Sequence, residues 1–137
     1  MRHLIWTLAL SGLCGVGTPA AAETGADLYA RHCAACHGAE LEGQPDWRSP
    51  KPDGTYPAPP HDASGHTWHH DDAMLFDYVA RGGQAVLDDM GVSFKSAMPA
   101  FGTVLSDAEI TRILDFIAST WPEPVRKARQ ERLHPSP

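Results

Sequence analysis

Residues 31–38 read Arg-His-Cys-Ala-Ala-Cys-His-Gly (RHCAACHG). They hold Cys33 and Cys36, the two cysteines outside the N-terminal apolar stretch, and His37 follows the second directly. A Cys-x-x-Cys-His step serves three chemistries: a redox dithiol, half of a zinc site, or the covalent attachment of a haem. The remainder of the chain has to supply what each chemistry requires.

A redox dithiol of the thioredoxin type needs a strand–helix–strand setting. No strand pattern precedes Cys33, and no parallel-sheet pattern occurs elsewhere. A zinc site needs four ligands. His66 and His70 offer a second pair, but 29 residues separate Cys36 from His66, against the ~12–15 usual in a Cys₂His₂ finger. That reading also leaves His37 without a role. Haem attachment uses every letter. The two thiols add to the vinyl groups as thioethers, the two-residue spacer sets both sulfurs along one edge of the macrocycle, and His37 lies under the iron as proximal ligand.

Whole-chain properties agree with an exported protein. Arg2 and His3 precede an apolar run from Leu4 to Val16, and Ala20-Ala21-Ala22 offers a cleavage site before Glu23. Residues 1–22 therefore read as a cleaved secretory signal peptide, with a run shorter than the ~18 apolar residues a membrane span needs. Leu13 stands before Cys14 where a lipid-attachment site has a small residue, so Cys14 is not read as an anchor. The expected location is periplasmic, with no stable membrane insertion of the mature chain. The formal net charge of −6 becomes −7 once Arg2 is removed, which argues against nucleic acid as a partner.

The chain is long enough for one domain, expected over residues 23–122. It has 12 glycines and 12 prolines in 137 residues, above the average combined usage of roughly 12%. A small, loop-rich domain buries too little apolar surface on its own and needs a staple. A disulfide between Cys33 and Cys36 closes too small a loop to serve. A bound group held by both cysteines meets the need.

Three helices are legible. Thr24 caps a first helix running to about Cys33, with Asp27 in its first turn. Asp71 opens a second that runs to about Arg81, with Leu75, Phe76, Val79 and Ala80 as its apolar stripe and Gly82-Gly83 as its stop. Ser106 and Glu109 form a capping box for a third. There Ile110, Ile113, Leu114 and Ile117 face the core, and Trp121-Pro122 ends it. Prolines 45, 50, 52, 57, 59 and 60 exclude regular structure from residues 43–65. Residues 123–137 read as a polar, solvated tail, partly helical or frayed; Arg126, Lys127, Arg129 and Arg132 leave a basic docking arm as the alternative.

The haem reading calls for a sixth iron ligand. Ser96-Ala97-Met98-Pro99-Ala100-Phe101 lies between the second and third helices, and Pro99 keeps Met98 out of helical geometry. Met74, in the first turn of the second helix, reads as core filler. Met90 lacks a following proline. Met98 is the candidate.

With CAACH near the mature N-terminus, a Met-Pro-x-Phe loop and a closing helix after LSDAEI, the chain resembles a class I c-type cytochrome of the small bacterial monohaem group over roughly residues 24–121. The resemblance implies an all-α, cytochrome c-like fold, with a few helices and long loops around one covalently bound haem c. It implies Cys33 and Cys36 as thioether sites and His37 and Met98 as axial ligands. It also implies a crossing of first and last helices, which Gly25, Tyr29 and Phe116 suit. The proline-rich loop with its histidines is longer than in smaller members.

That loop leaves three readings open. His61, His66, His69 and His70 fall within PPHDASGHTWHH, residues 59–70. They line a haem edge where Trp68 donates to a propionate; or His66, with His69 or His70, binds copper or zinc; or one histidine replaces Met98 at the iron. The functional expectation is a monomeric electron carrier, not an enzyme, meeting a redox donor and a redox acceptor protein. The alternative is a haem-containing sensor or metal-handling protein that works through the histidine loop.

Overall fold

Thr24 opens the first helix, α1 (Gly25–His32), through a reciprocal cap. Its hydroxyl accepts the Asp27 N–H at 3.2 Å, and the Asp27 carboxylate accepts the Thr24 N–H at 3.3 Å. These are two of the donors that a helix start otherwise leaves unpaired. The computed structural model describes residues 22–134. The apolar run of the expected signal, Cys14, and the last three residues of the chain lie outside the described residues.

At Cys33 the chain turns into one further helical turn, α2 (Ala34–His37), which Gly38 ends. A long irregular stretch follows, as the prolines require, up to a single 3-10 turn at Thr67–His69. The next helix, α3 (Asp72–Arg81), is capped by Asp71, whose carboxylate accepts the Met74 N–H at 2.7 Å. Helix α5 (Asp107–Thr120) carries the Ser106–Glu109 box at both of its bonds.

One sequence expectation is corrected and another is sharpened. Gly82 stops α3, but Gly83 does not continue a loop: it starts a short helix, α4 (Gly83–Asp89), that buries Val86 and Leu87. The apolar pair is too short a signal to mark a helix by periodicity. Residues 123–133 take the helical form of the two that the tail allowed, and they are docked, not solvated throughout. They form α6 (Glu123–Leu133), opened by Pro122 with Pro124 in its first turn, a position that proline favours. Arg129 on α6 is buried, so the helix is docked through a polar side chain. A hydrophobic stripe was the wrong signal to look for.

The core forms where α1 crosses α5. Leu28 and Tyr29 from α1 meet Ile110, Ile113 and Ile117 from α5, joined by Val79, Leu105, Leu41 and Trp121. Each of the leucines and isoleucines, taken fully out of water, contributes about 2 kcal/mol of transfer free energy. Gly25 makes the approach close. A Cβ there meets the Arg112 carbonyl oxygen at clash distance and Phe116 Cβ at 2.9 Å. The Tyr29 and Phe116 rings pack 5.5 Å apart at the same crossing, as the resemblance implied.

Among the described residues no strand forms; a lone parallel bridge joins Thr55 and Lys95. The fold is all-α with long loops, as expected. No described helix is long and apolar enough to cross a membrane.

Candidate metal centre

The centre is assembled from α1, α2 and the proline-rich loop. Cys33 sits at the joint between the two helices, half-buried, and Cys36 one turn on is exposed. They form no disulfide. Burial, and then the neighbouring Cys36, push the Cys33 thiol up to about 11. It therefore stays an S–H group at neutral pH in the chain without its bound group.

His37 ends α2 and is buried. Its Nδ1 lies 2.8 Å from the Pro59 carbonyl oxygen, which only accepts, so Nδ1 carries the proton and Nε2 keeps the lone pair. A metal-binding histidine needs this arrangement, with one nitrogen fixed by a carbonyl and the other free to ligate. Burial pulls the His37 pKa down against the opposing pull of Pro59, and so keeps the imidazole neutral.

Pro59 reaches His37 because two loop segments run side by side. Gln44 N–H donates to Ala58 O at 2.9 Å, His61 N–H to Leu41 O at 2.8 Å, and Gly43 N–H to His37 O at 2.8 Å. Gly43 has φ of +70°, and a Cβ on it would collide with Pro60; a side chain there would push the carbonyl strand off His37. The irregular loop drapes over the end of α2, and its prolines present carbonyls without needing N–H partners.

Met98 lies in a loop stitched to the α3–α4 corner. Gly83 N–H donates to Met98 O at 3.1 Å, Met98 N–H to Ser96 Oγ at 3.2 Å, and Phe101 N–H to Val79 O at 2.9 Å. Met98 is half-buried and packs on the same core as Cys33 and Trp68. Its rivals differ: Met90 is 54% exposed, and Met74 sits half-buried in the first turn of α3. Trp68 keeps its indole Nε1 buried with no hydrogen-bond partner among the described residues. A buried donor of this kind costs about 1–3 kcal/mol unless it is satisfied. A carboxylate of a bound cofactor would satisfy it. The donor set of two thiols, an oriented neutral imidazole and an orphaned indole N–H fits a haem c.

Of the four loop histidines, His66 and His70 touch each other, while His61 and His69 are engaged by other groups. His61 stacks on His37 with ring centroids 3.9 Å apart. His66 stacks on Trp47 at 5.4 Å and meets His70 edge to face at 5.3 Å. His69 Nδ1 accepts from Arg132 of α6 at 2.6 Å. Among the described residues no group of three or more histidines, cysteines or carboxylates is arranged to hold a metal ion. The copper or zinc reading thus lacks a gathered ligand set.

Sequence reasoning missed four participants: Pro59, Thr67, Arg129 and Arg132. The Pro59-Pro60 pair was a signal for a rigid carbonyl-bearing turn. The two arginines carried no signal of these roles, because their partners are backbone carbonyls, Asp72 and a histidine some 60 residues away.

Over residues 20–117 the chain matches the family model described as cytochrome C oxidase, cbb3-type, subunit III. No curated protein and no solved structure matches the chain. The matched span takes in Cys33, Cys36, His37, Trp68 and Met98, and stops short of α6.

Proposed function

This chain belongs to the c-type cytochrome family of the cbb3-type oxidase subunit III, and on that premise we propose that it is a periplasmic protein that carries single electrons on one haem c with His37 and Met98 as axial ligands. The observation that carries the reading is the His37 Nδ1 to Pro59 carbonyl bond beside Cys33 and Cys36. It leaves Nε2 with a lone pair, on the residue that directly follows Cys36.

The bound haem would supply a one-electron iron couple, with a neutral thioether ligand favouring the reduced state over a second imidazole. The chain's own residues do the rest. Cys33 and Cys36 hold the group covalently. Pro59 fixes the tautomer of the proximal histidine. The bonds from Gly83 and Ser96 hold the Met98 loop against the core, so its thioether need not reorganise between oxidation states. Trp68 offers its N–H to a propionate.

Met98→Ala tests the ligand assignment. The oxidised holoprotein is expected to lose the methionine-to-iron charge-transfer band, and its potential to fall. An unchanged spectrum in the variant contradicts the assignment. The family description raises a second placement, as the haem-bearing part of an oxidase complex. Native electrophoresis of the protein from its host membranes separates the two: a free carrier runs alone, a subunit with its complex. The metal-handling alternative has the His66–His70 contact but no third ligand gathered beside it among the described residues.

A further inference from the structure

The Pro59–Pro60–His61 step puts two groups against His37. The Pro59 carbonyl fixes the tautomer. The second group is the His61 ring, stacked on the His37 ring at 3.9 Å with the planes 21° apart.

His61 is itself held from several directions. Its Nδ1 lies 2.9 Å from Thr67 Oγ1, and that hydroxyl faces Pro60 O at 3.4 Å. The order that satisfies both contacts is His61 Nδ1–H to Thr67 Oγ1, then Thr67 O–H to Pro60 O. Tyr29 meets the ring edge-on at 6.2 Å. The His61 backbone donates to Leu41 O and accepts the Trp121 indole N–H, both at 2.8 Å. An aliphatic side chain would fill the same space without needing the buried Thr67 hydroxyl. The polar anchoring therefore serves the orientation of a ring.

We propose that His61 is the positioning residue of the proximal ligand: it clamps the plane of the His37 imidazole. The hydrogen bond to Pro59 fixes one end of that ring but lets the ring rock about the line of the bond. A flat neighbour on its face removes that freedom. The plane of an axial imidazole sets which iron orbital its π system meets, so the clamp governs the electronic structure of the ferric centre.

The inference rests on the haem c reading, and the experiment separates the two. Holoprotein is first checked for haem that resists acidic organic extraction; loss of the haem at that stage overturns the haem reading and, with it, the clamp. On protein that passes, the ferric EPR signal and the order of the haem-methyl NMR shifts report the imidazole plane. His61→Ala is expected to change the methyl order and broaden the EPR signal. His61→Phe, which keeps a flat ring on His37, is expected to restore the wild-type order. Thr67→Val, nearly the same shape without the hydroxyl, is expected to move the signals in the same sense as His61→Ala but less, and it carries the test where His61→Ala yields no holoprotein. An unchanged methyl order in His61→Ala, or in Thr67→Val where it stands alone, overturns the proposal. So does a His61→Phe protein that matches His61→Ala.

Discussion

The indole N–H of Trp121 donates to the backbone carbonyl of His61 at 2.8 Å, across 60 residues of chain. Trp121 is 2% exposed and caps the C-terminal end of α5. One bond thus ties the last core helix to the loop that lies on His37. Trp121→Phe keeps most of the apolar volume and removes the donor. The expected cost is about 1–2 kcal/mol for the lost bond and its stranded acceptor. Chemical denaturation of the holoprotein measures it; an unchanged midpoint contradicts the role.

At Gly25 the two core helices touch through backbone. The Arg112 carbonyl cannot swing away as a long side chain can, so Gly25→Ala must part α1 from α5. Overpacking of this kind costs about 1–3 kcal/mol. A lowered melting temperature with an intact haem spectrum is the expected outcome, because the crossing lies away from Cys36 and His37.

Arg129 joins α6 to the segment before α3. Its guanidinium donates to Trp68 O at 3.3 Å, to His70 O, and to Asp72 at 2.5 Å, and it lies over the Trp121 ring at 5.4 Å. The Asp72 side chain is 88% exposed, so the ion pair itself contributes little. The carbonyl bonds decide, at about 1.5–3 kcal/mol for hydrogen bonds to a charged group. Arg129→Leu is expected to speed hydrogen exchange across residues 66–72. Lys127→Ala, whose pairing with Glu131 is exposed on both sides, is expected to leave exchange unchanged.

Acidification should loosen the same contact. Burial first, and then the neighbouring His69, lower the His66 pKa; burial and then His66 and His69 lower that of His70, with Asp71 opposing and Arg129 adding to the effect. A histidine whose folded pKa is depressed takes up its proton more readily in the unfolded chain. Its stabilising share is therefore complete above the unfolded value of about 6.5 and is lost as pH falls through the folded value. A stability profile from pH 7.5 to 5 is expected to decline on the acid side, and His70→Gln is expected to flatten it. Equal slopes in both proteins contradict this account.

Much of the fold was legible because its signals are local. The Thr24–Asp27 and Ser106–Glu109 caps and the Ile110–Ile113–Ile117 stripe lie within one or two helical turns, and periodicity reads such distances. Cys33, Cys36 and His37 stood out as a candidate site because the covalent attachment proposed for them needs contiguous residues. The Met98 loop was legible through Pro99. What stayed hidden is held by long-range polar contacts. Helix α6 lays only Val125 against the core, too little for periodicity to read; it docks chiefly through Arg129 and Arg132 onto carbonyls, Asp72 and His69. His61 shows nothing in the sequence to set it apart from His66 and His69, since its role comes from a loop folding back over α2. The apolar pair of α4, Val86 and Leu87, sits behind two glycines that read equally well as a stop.

The central claim is that Cys33 and Cys36 bind haem covalently, with His37 beneath the iron. Its most direct measurement is acidic organic extraction of protein made with a haem c maturation system, followed by the reduced pyridine haemochrome spectrum of the chain. The account predicts that haem stays with the polypeptide, gives the spectrum of a haem with both vinyl groups saturated, and is lost in Cys33→Ser/Cys36→Ser. Haem that passes into the organic phase from the wild-type chain, or that persists on the double variant, contradicts it.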